Sequence, residues 1–189
     1  FLTGPSGAGK TTLLKLIYCF ERPGSGKIIV DKMEVSAIAQ GKIPQLRRKI
    51  GIVFQDFRLF TDKTVFDNVA VALQFNGMHP QKIRGYVNEL LEKVGMLKAA
   101  RDFPQHLSGG EQQRIVIARA MVSKPKVILA DEPTGNLDDN NAKSVMNLLK
   151  EISLKGTTVL IATHHKDLFQ GSGHRVLHLN NSIIESDYI

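Results

Sequence analysis

Three stretches of this chain are apolar at nearly every position: KIGIVFQ (residues 49–55), KVILA (126–130) and TTVLIAT (157–163). A strand with one face in water alternates apolar and polar residues, whereas a strand covered on both faces does not. These runs therefore predict a parallel sheet with helices on either side. FLTG (1–4) reads as the end of another such strand, and KTTLLKLIYCF (10–20) as the helix after it. GKIIVDKMEV (26–35) predicts a short strand pair turning at Asp31 and Lys32. Thr64 and Asp67 have the spacing of a helix cap and its third residue, so a helix runs from there to Phe75. His79 and Pro80 open a second helix through residue 96, with Val87, Leu90, Leu91 and Val94 on one face. NNAKSVMNLLKEISLKG (140–156) predicts another helix, and RVLHLNNSIIE (175–185) a hairpin turning at Asn180 and Asn181.

The expected fold class is α/β, with a mostly parallel sheet core, in a single domain spanning residues 1–189. The stretch from about residue 61 to 111 is helical and lacks a strand, so it is expected to form a helical subdomain inserted into a core of 1–60 and 112–189.

Composition changes this picture little. At 189 residues and 42% hydrophobic, the chain can bury one substantial core. No apolar run approaches the roughly 18 residues of a membrane span. The single cysteine, Cys19, rules out a disulfide within the chain, and its apolar neighbours mark it as a buried thiol. The net charge of +7 raises the question of nucleic acid. The basic residues are interleaved with acids, however, and the only tight cluster is Leu46–Lys49. Aromatics do not alternate with the basic residues, so no base-stacking platform is visible and no nucleic-acid partner is expected. An anionic substrate and an anionic membrane surface account better for the charge.

The chemistry is carried by GPSGAGKT, Gly4 to Thr11, which fits G-x-x-x-x-G-K-[ST] at every fixed position. Gly4, Gly7 and Gly9 let the backbone turn its N–H groups toward a phosphate, and the loop empties into a helix N-terminus. Lys10 adds a full charge for the β- and γ-phosphates of a nucleotide, and Thr11 a hydroxyl for Mg²⁺. The expected cradle comprises Gly4, Pro5, Ser6, Gly7, Ala8, Gly9, Lys10, Thr11 and Thr12.

KVILADEPTGNLD (126–138) supplies a second half. Pro133 stops the strand just after Asp131 and Glu132. Asp131 is expected to hold Mg²⁺, and Glu132, facing the other way by strand alternation, to polarise the attacking water. Gln55 and His164 end two further strands. Gln55 is expected to bridge metal or water and His164 to contact the γ-phosphate, because open α/β sheets bind ligands at the carboxyl ends of their strands.

HLSGGEQQRIVIARA (106–120) reads as a helix with two glycines at its front. Ser108 and Glu111 have capping-box spacing, worth about 1 kcal/mol. Two glycines in the first turn cost about as much or more, so capping alone does not account for them. Bare backbone at a helix start suits close approach by a phosphate. Since Lys10 already serves one, Ser108, Gly109, Gly110 and Gln112 are expected to face a nucleotide held by another molecule.

LSGGEQ (107–112), in order with Gly4–Thr11, Gln55, Asp131-Glu132, Asn136–Asp138 and His164, resembles the ATP-binding cassette ATPases along essentially the whole chain. The resemblance implies the P-loop NTPase fold and a head-to-tail dimer with two ATP molecules between its subunits. Ser108, Gly110 and Gln112 would then meet the γ-phosphate on the partner's Lys10, with Asp138 at the seam. Glu132, His164, Lys10 and Gln55 would carry catalysis, and Thr11, Gln55 and Asp131 the metal.

RRKIGIVFQDFRLFTDKTVFDNVAVAL (47–73) is similar to one branch, the bacterial cell-division FtsE family. That likeness implies a peripheral subunit on the cytoplasmic face of the inner membrane. Its integral membrane partner, resembling FtsX, would be contacted near Asp56, Phe57, Arg58, Leu59 and Phe60, and ATP-driven dimerisation would regulate cell-wall hydrolases. LADEPTGNLDD (129–139) is shared with lipoprotein-releasing and macrolide-export ATPases, which keeps a transporter subunit as the alternative. Chromosome-maintenance cassettes separate the two motifs by long coiled coils, unlike the arrangement here. Only Phe1, Leu2 and Thr3 precede Gly4, and the antiparallel region with an adenine-stacking aromatic is not seen. A fragment missing its start is therefore expected, with weakened nucleotide affinity and a poorly stable core.

Overall fold

The apolar runs become neighbouring strands. The computed structural model describes all 189 residues. Along the chain lie β1 (Leu2–Thr3), α1 (Lys10–Ile17), β2 (Ile29–Val30), β3 (Met33–Glu34), α2 (Ile43–Arg48), β4 (Ile50–Val53), α3 (Val65–Phe75) and α4 (Pro80–Lys93). They are followed by α5 (Gly109–Met121), β5 (Val127–Asp131), α6 (Asp139–Leu154), β6 (Thr158–Thr163), β7 (Val176–Asn180) and β8 (Ile183–Tyr188). The main sheet has six strands in the order β4-β5-β6-β1-β7-β8. All its pairings are parallel except the last, β7 with β8. β1 is only two residues long, yet it lies between β6 and β7, with Leu2 opposite Ala162 and Leu177.

Burial explains the absence of alternation in the strands. In β5, Leu129 packs into one cluster with Leu2, Leu14, Leu46 and Leu179. Its neighbours Ile128 and Ala130 pack into another, with Val116, Val145, Leu149 and Ile161. Both faces of the sheet are thus covered, and an apolar residue is needed at every position. A third cluster joins α3 and α4 through Val69, Leu73, Val87 and Leu91. α5 serves two of these clusters: Ile115 and Ala118 face α3 and α4, whereas Val116 and Ile117 face the sheet.

Local chemistry sets the ends of the elements. Thr64 caps α3, its Oγ1 accepting the Asp67 N–H and donating to Asp67 Oδ2 at 2.7 Å. Pro80 stands at the start of α4, where its missing N–H costs nothing. The β2–β3 turn places both Asp31 and Lys32 at positive φ, as a tight hairpin requires. Three details depart from the expectations. α1 stops at Ile17 rather than Phe20, because buried Cys19 takes a φ of 56° and ends the helix. A short helix, α2, precedes β4 where only a basic stretch was read. The last hairpin turns at Asn181 and Ser182, one residue later than expected. There the Ser182 N–H donates to Ala8 O at 3.2 Å, so the phosphate loop sets the turn.

Candidate functional site

The carboxyl ends of β1, β4, β5 and β6 lead into Gly4, Gln55, Glu132 and His164 respectively. All four strands run parallel, so these residues share one edge of the sheet.

Gly4 takes a φ of +141°, and a Cβ there would lie 2.0 Å from the Leu179 carbonyl oxygen. No side chain fits. Gly9, at +99°, is the N-cap of α1 and offers no side-chain cap, which leaves first-turn N–H groups without a side-chain acceptor. Pro5, Ser6 and Gly7 are exposed, Ala8 is buried beneath them, and Thr11 and Thr12 are exposed on the first turn. Lys10 is buried, its Nζ donating to Gly4 O at 2.8 Å and Pro5 O at 3.1 Å. Two of its three N–H bonds hold the loop closed, and the third is available. An uncapped helix start with a buried ammonium is an anion site.

Asp131 ends β5 half-buried. Burial pushes its carboxyl above the usual carboxylate range, and Glu132 adds to that. A hydrogen bond from the Thr11 hydroxyl and the Lys10 charge pull the other way. Thr11 and Asp131 are both oxygen donors, the set that a hard divalent cation takes.

Glu132 meets partners other than those of Asp131, and more than strand alternation sets its direction. β5 ends one residue earlier, and Glu132 adopts a φ of 45°, an uncommon conformation for a residue with a Cβ. Its N–H bonds Ala162 O at 2.9 Å, and its Oε2 accepts from the Thr163 hydroxyl at 3.0 Å. His164 Nδ1 stands 2.7 Å from its Oε1. The carboxylate is therefore held by both oxygens while keeping further lone pairs free. Gln55 is exposed; its side-chain amide lies against Gly135, and its backbone carbonyl accepts from Asn136 Nδ2 at 3.1 Å. It makes no hydrogen bond to Thr11 or Asp131.

At the front of α5, Ser108 and Glu111 complete a reciprocal capping box. Hydrogen bonds from the Ser108 hydroxyl and then its backbone hold the Glu111 carboxyl below its ordinary value. Gln112 Nε2 donates to Leu107 O at 3.1 Å. A Cβ on Gly109 would meet only ordinary contacts, the nearest being Leu137 at 3.5 Å. Gly110 differs: it is buried, and a Cβ there would fall 2.1 Å from Asn141 Oδ1. Its small size has a use inside the chain. Asp138 caps α6, accepting the Asn140 and Asn141 N–H groups at 3.0 Å each. No hydrogen bond joins Ser108–Gln112 to Gly4–Thr12 within one chain.

Three supporting residues escaped the sequence reading. Thr163 closes the buried run before His164, where a hydroxyl among apolar residues was the available signal. Gln113, fully buried, donates to Pro133 O at 2.7 Å and ties α5 to the loop after Glu132. Arg119 donates to Arg58 O at 2.6 Å and Phe57 O at 2.9 Å, holding two consecutive residues at positive φ. No local signal announced that contact.

A family model described as ABC transporter matches residues 1–135. The chain is 48% identical over 187 residues to the cell division ATP-binding protein FtsE of Bacillus subtilis, covering 99% of this chain and 82% of the relative. It is 50% identical over 181 residues to FtsE of Escherichia coli strain K12, covering 96% and 82%. Among solved structures it resembles a dimeric ATP-binding cassette in a post-hydrolysis state bound to ADP and Pi. That likeness has a TM-score of 0.88 at 35% identity and covers 99% of this chain and 83% of the other. No helix is long and apolar enough to cross a membrane.

Proposed function

The chain belongs to the ATP-binding cassette family, with the cell-division ATP-binding proteins FtsE among its relatives, and from that premise we propose that it hydrolyses ATP to drive a membrane partner in cell division. The observation that carries the chemistry is Glu132, fixed by Thr163 and His164 on the edge where the Gly4–Thr11 loop opens.

ATP enters with its phosphates against the α1 N-terminus, and Lys10 exchanges its carbonyl partners for β- and γ-phosphate oxygens. Thr11 and Asp131, with Gln55, would hold Mg²⁺, which when bound offsets phosphate charge. Glu132 accepts a hydrogen bond from the attacking water and takes its proton as oxygen bonds to the γ-phosphorus. The bond from that phosphorus to the bridging oxygen breaks, and ADP leaves. His164 and Thr163 keep the carboxylate aimed, which is a positioning role.

A second copy of the chain, docked head to tail, would bring its Ser108, Gly109, Gly110 and Gln112 to the γ-phosphate, with Asp138 at the seam. Closure by ATP and release after hydrolysis then supply the mechanical cycle. The integral membrane partner would resemble FtsX and dock near Asp56–Phe60. The Phe57-Arg58 conformation held by Arg119, and exposed Phe60, support that assignment. The location follows as the cytoplasmic face of the inner membrane. Glu132→Gln tests the cycle: light scattering should find an ATP-dependent dimer that barely turns over. A variant monomeric at saturating ATP counts against it.

A further inference from the structure

The end of β6 carries a second histidine with no part in that cycle. His164 and His165 follow β6 directly, with ring centres 4.2 Å apart. Together with the Glu132 carboxylate they offer three donor atoms, all within 4.8 Å of one another. His164 Nδ1 and Glu132 Oε1 are already 2.7 Å apart. Zinc bonds of about 2.0–2.1 Å set neighbouring ligands roughly 3.3 Å apart in a tetrahedron, so that pair has only to open slightly. The His165 ring is exposed and free to close the remaining distance.

One buried hydroxyl braces the group. Thr163 Oγ1 donates to Glu132 Oε2 at 3.0 Å and accepts the His165 N–H at 3.1 Å. Outer contacts of this kind orient ligands and raise metal affinity. Two imidazoles and one carboxylate form a borderline donor set, suited to Zn²⁺ and poorly suited to Mg²⁺, which takes oxygen.

We propose that Glu132, His164 and His165 form a site for Zn²⁺, and that filling it stops ATP turnover. The metal takes the carboxylate lone pairs and the imidazole that the water step uses. This second clause rests on the proposed hydrolysis; the first does not.

The test titrates the purified, nucleotide-free protein with Zn²⁺ against a chromophoric chelator. The unsubstituted chain should bind one equivalent, and His165→Asn should bind at least tenfold more weakly. At saturating ATP and Mg²⁺, free zinc that fills the site should remove more than nine-tenths of turnover, with recovery on chelation. His165→Asn should turn over normally and resist the same zinc. Equal zinc affinity in both proteins, or none in either, overturns the site. Full turnover with the site filled overturns the inhibition. Weaker zinc binding by His165→Asn, with no ATPase in either protein, upholds the site and counts against the hydrolysis.

Discussion

Two glycine-rich loops open helices in this chain, and they use glycine differently. Around Gly4–Gly9 the glycines take positive φ, and the helix behind them starts without a side-chain cap. At Gly109-Gly110 the glycines are helical, and Ser108 and Glu111 satisfy each other's N–H groups, leaving those of Gly109 and Gly110. The first loop is an anion site in a single chain. The second presents a capped end, with Ser108 engaged by its own Glu111, and in the proposed dimer it would meet a phosphate held by the partner. Glycine is required for conformation in one and for clearance in the other, which is why motif spacing alone cannot distinguish them.

Substitutions should separate the two by their effect on stability. Gly4→Ala forces a Cβ into the Leu179 carbonyl and a φ alanine rarely adopts, costing about 3 kcal/mol or more. Thermal unfolding should fall by roughly 6–12 °C, with loss of nucleotide binding. Gly110→Ala runs into the whole Asn141 side chain, its Cβ included at 2.9 Å, and should cost about 1–3 kcal/mol. In a double-mutant cycle with Asn141→Ala, the two changes should be non-additive by about 1 kcal/mol. Additive costs would mean that Asn141 is not what Gly110 accommodates.

The capping box has a pH signature. Glu111 has its pKa lowered by Ser108, so its contribution is fully present above the ordinary carboxylate value. It is lost as pH falls through the lowered value. Ser108→Ala should cost about 1 kcal/mol near neutral pH and less in acid, measured by urea unfolding across that range. Gly109→Ala has the smallest effect on the fold, within about 1 kcal/mol of the parent, because the added methyl meets only ordinary contacts. Its turnover should nevertheless collapse. Normal turnover would place the partner's phosphate elsewhere.

The sheet and its functional edge were legible because burial on both faces forces a continuous apolar run, and each run ends where a polar residue appears. Gln55, Asp131 and His164 stand out that way, and Gly4 through the G-x-x-x-x-G-K-[ST] pattern. What the sequence concealed depends on contacts between distant segments. Glu132 takes its aim from a positive φ secured by Ala162 and Thr163, not from alternation along β5 alone. Gly110 resembled its neighbour in every local respect; only the start of α6, brought over it by the fold, sets it apart. The last hairpin shifted by one residue because Ser182 is bonded to Ala8, at the opposite end of the chain.

The two residues of β1 lie between β6 and β7, strands that the ribosome delivers more than a hundred and fifty residues later. β1 must therefore wait, unpaired, for neighbours that emerge much later. Contacts so distant along the chain are slow to form, and the segment that waits for them is exposed meanwhile. Gly4 and Lys10 can take their final positions only when β7 arrives, since Leu179 forms the wall behind the loop. A nascent chain thus has no working phosphate cradle until β7 has emerged, and a chain that stalls before β7 should not bind nucleotide.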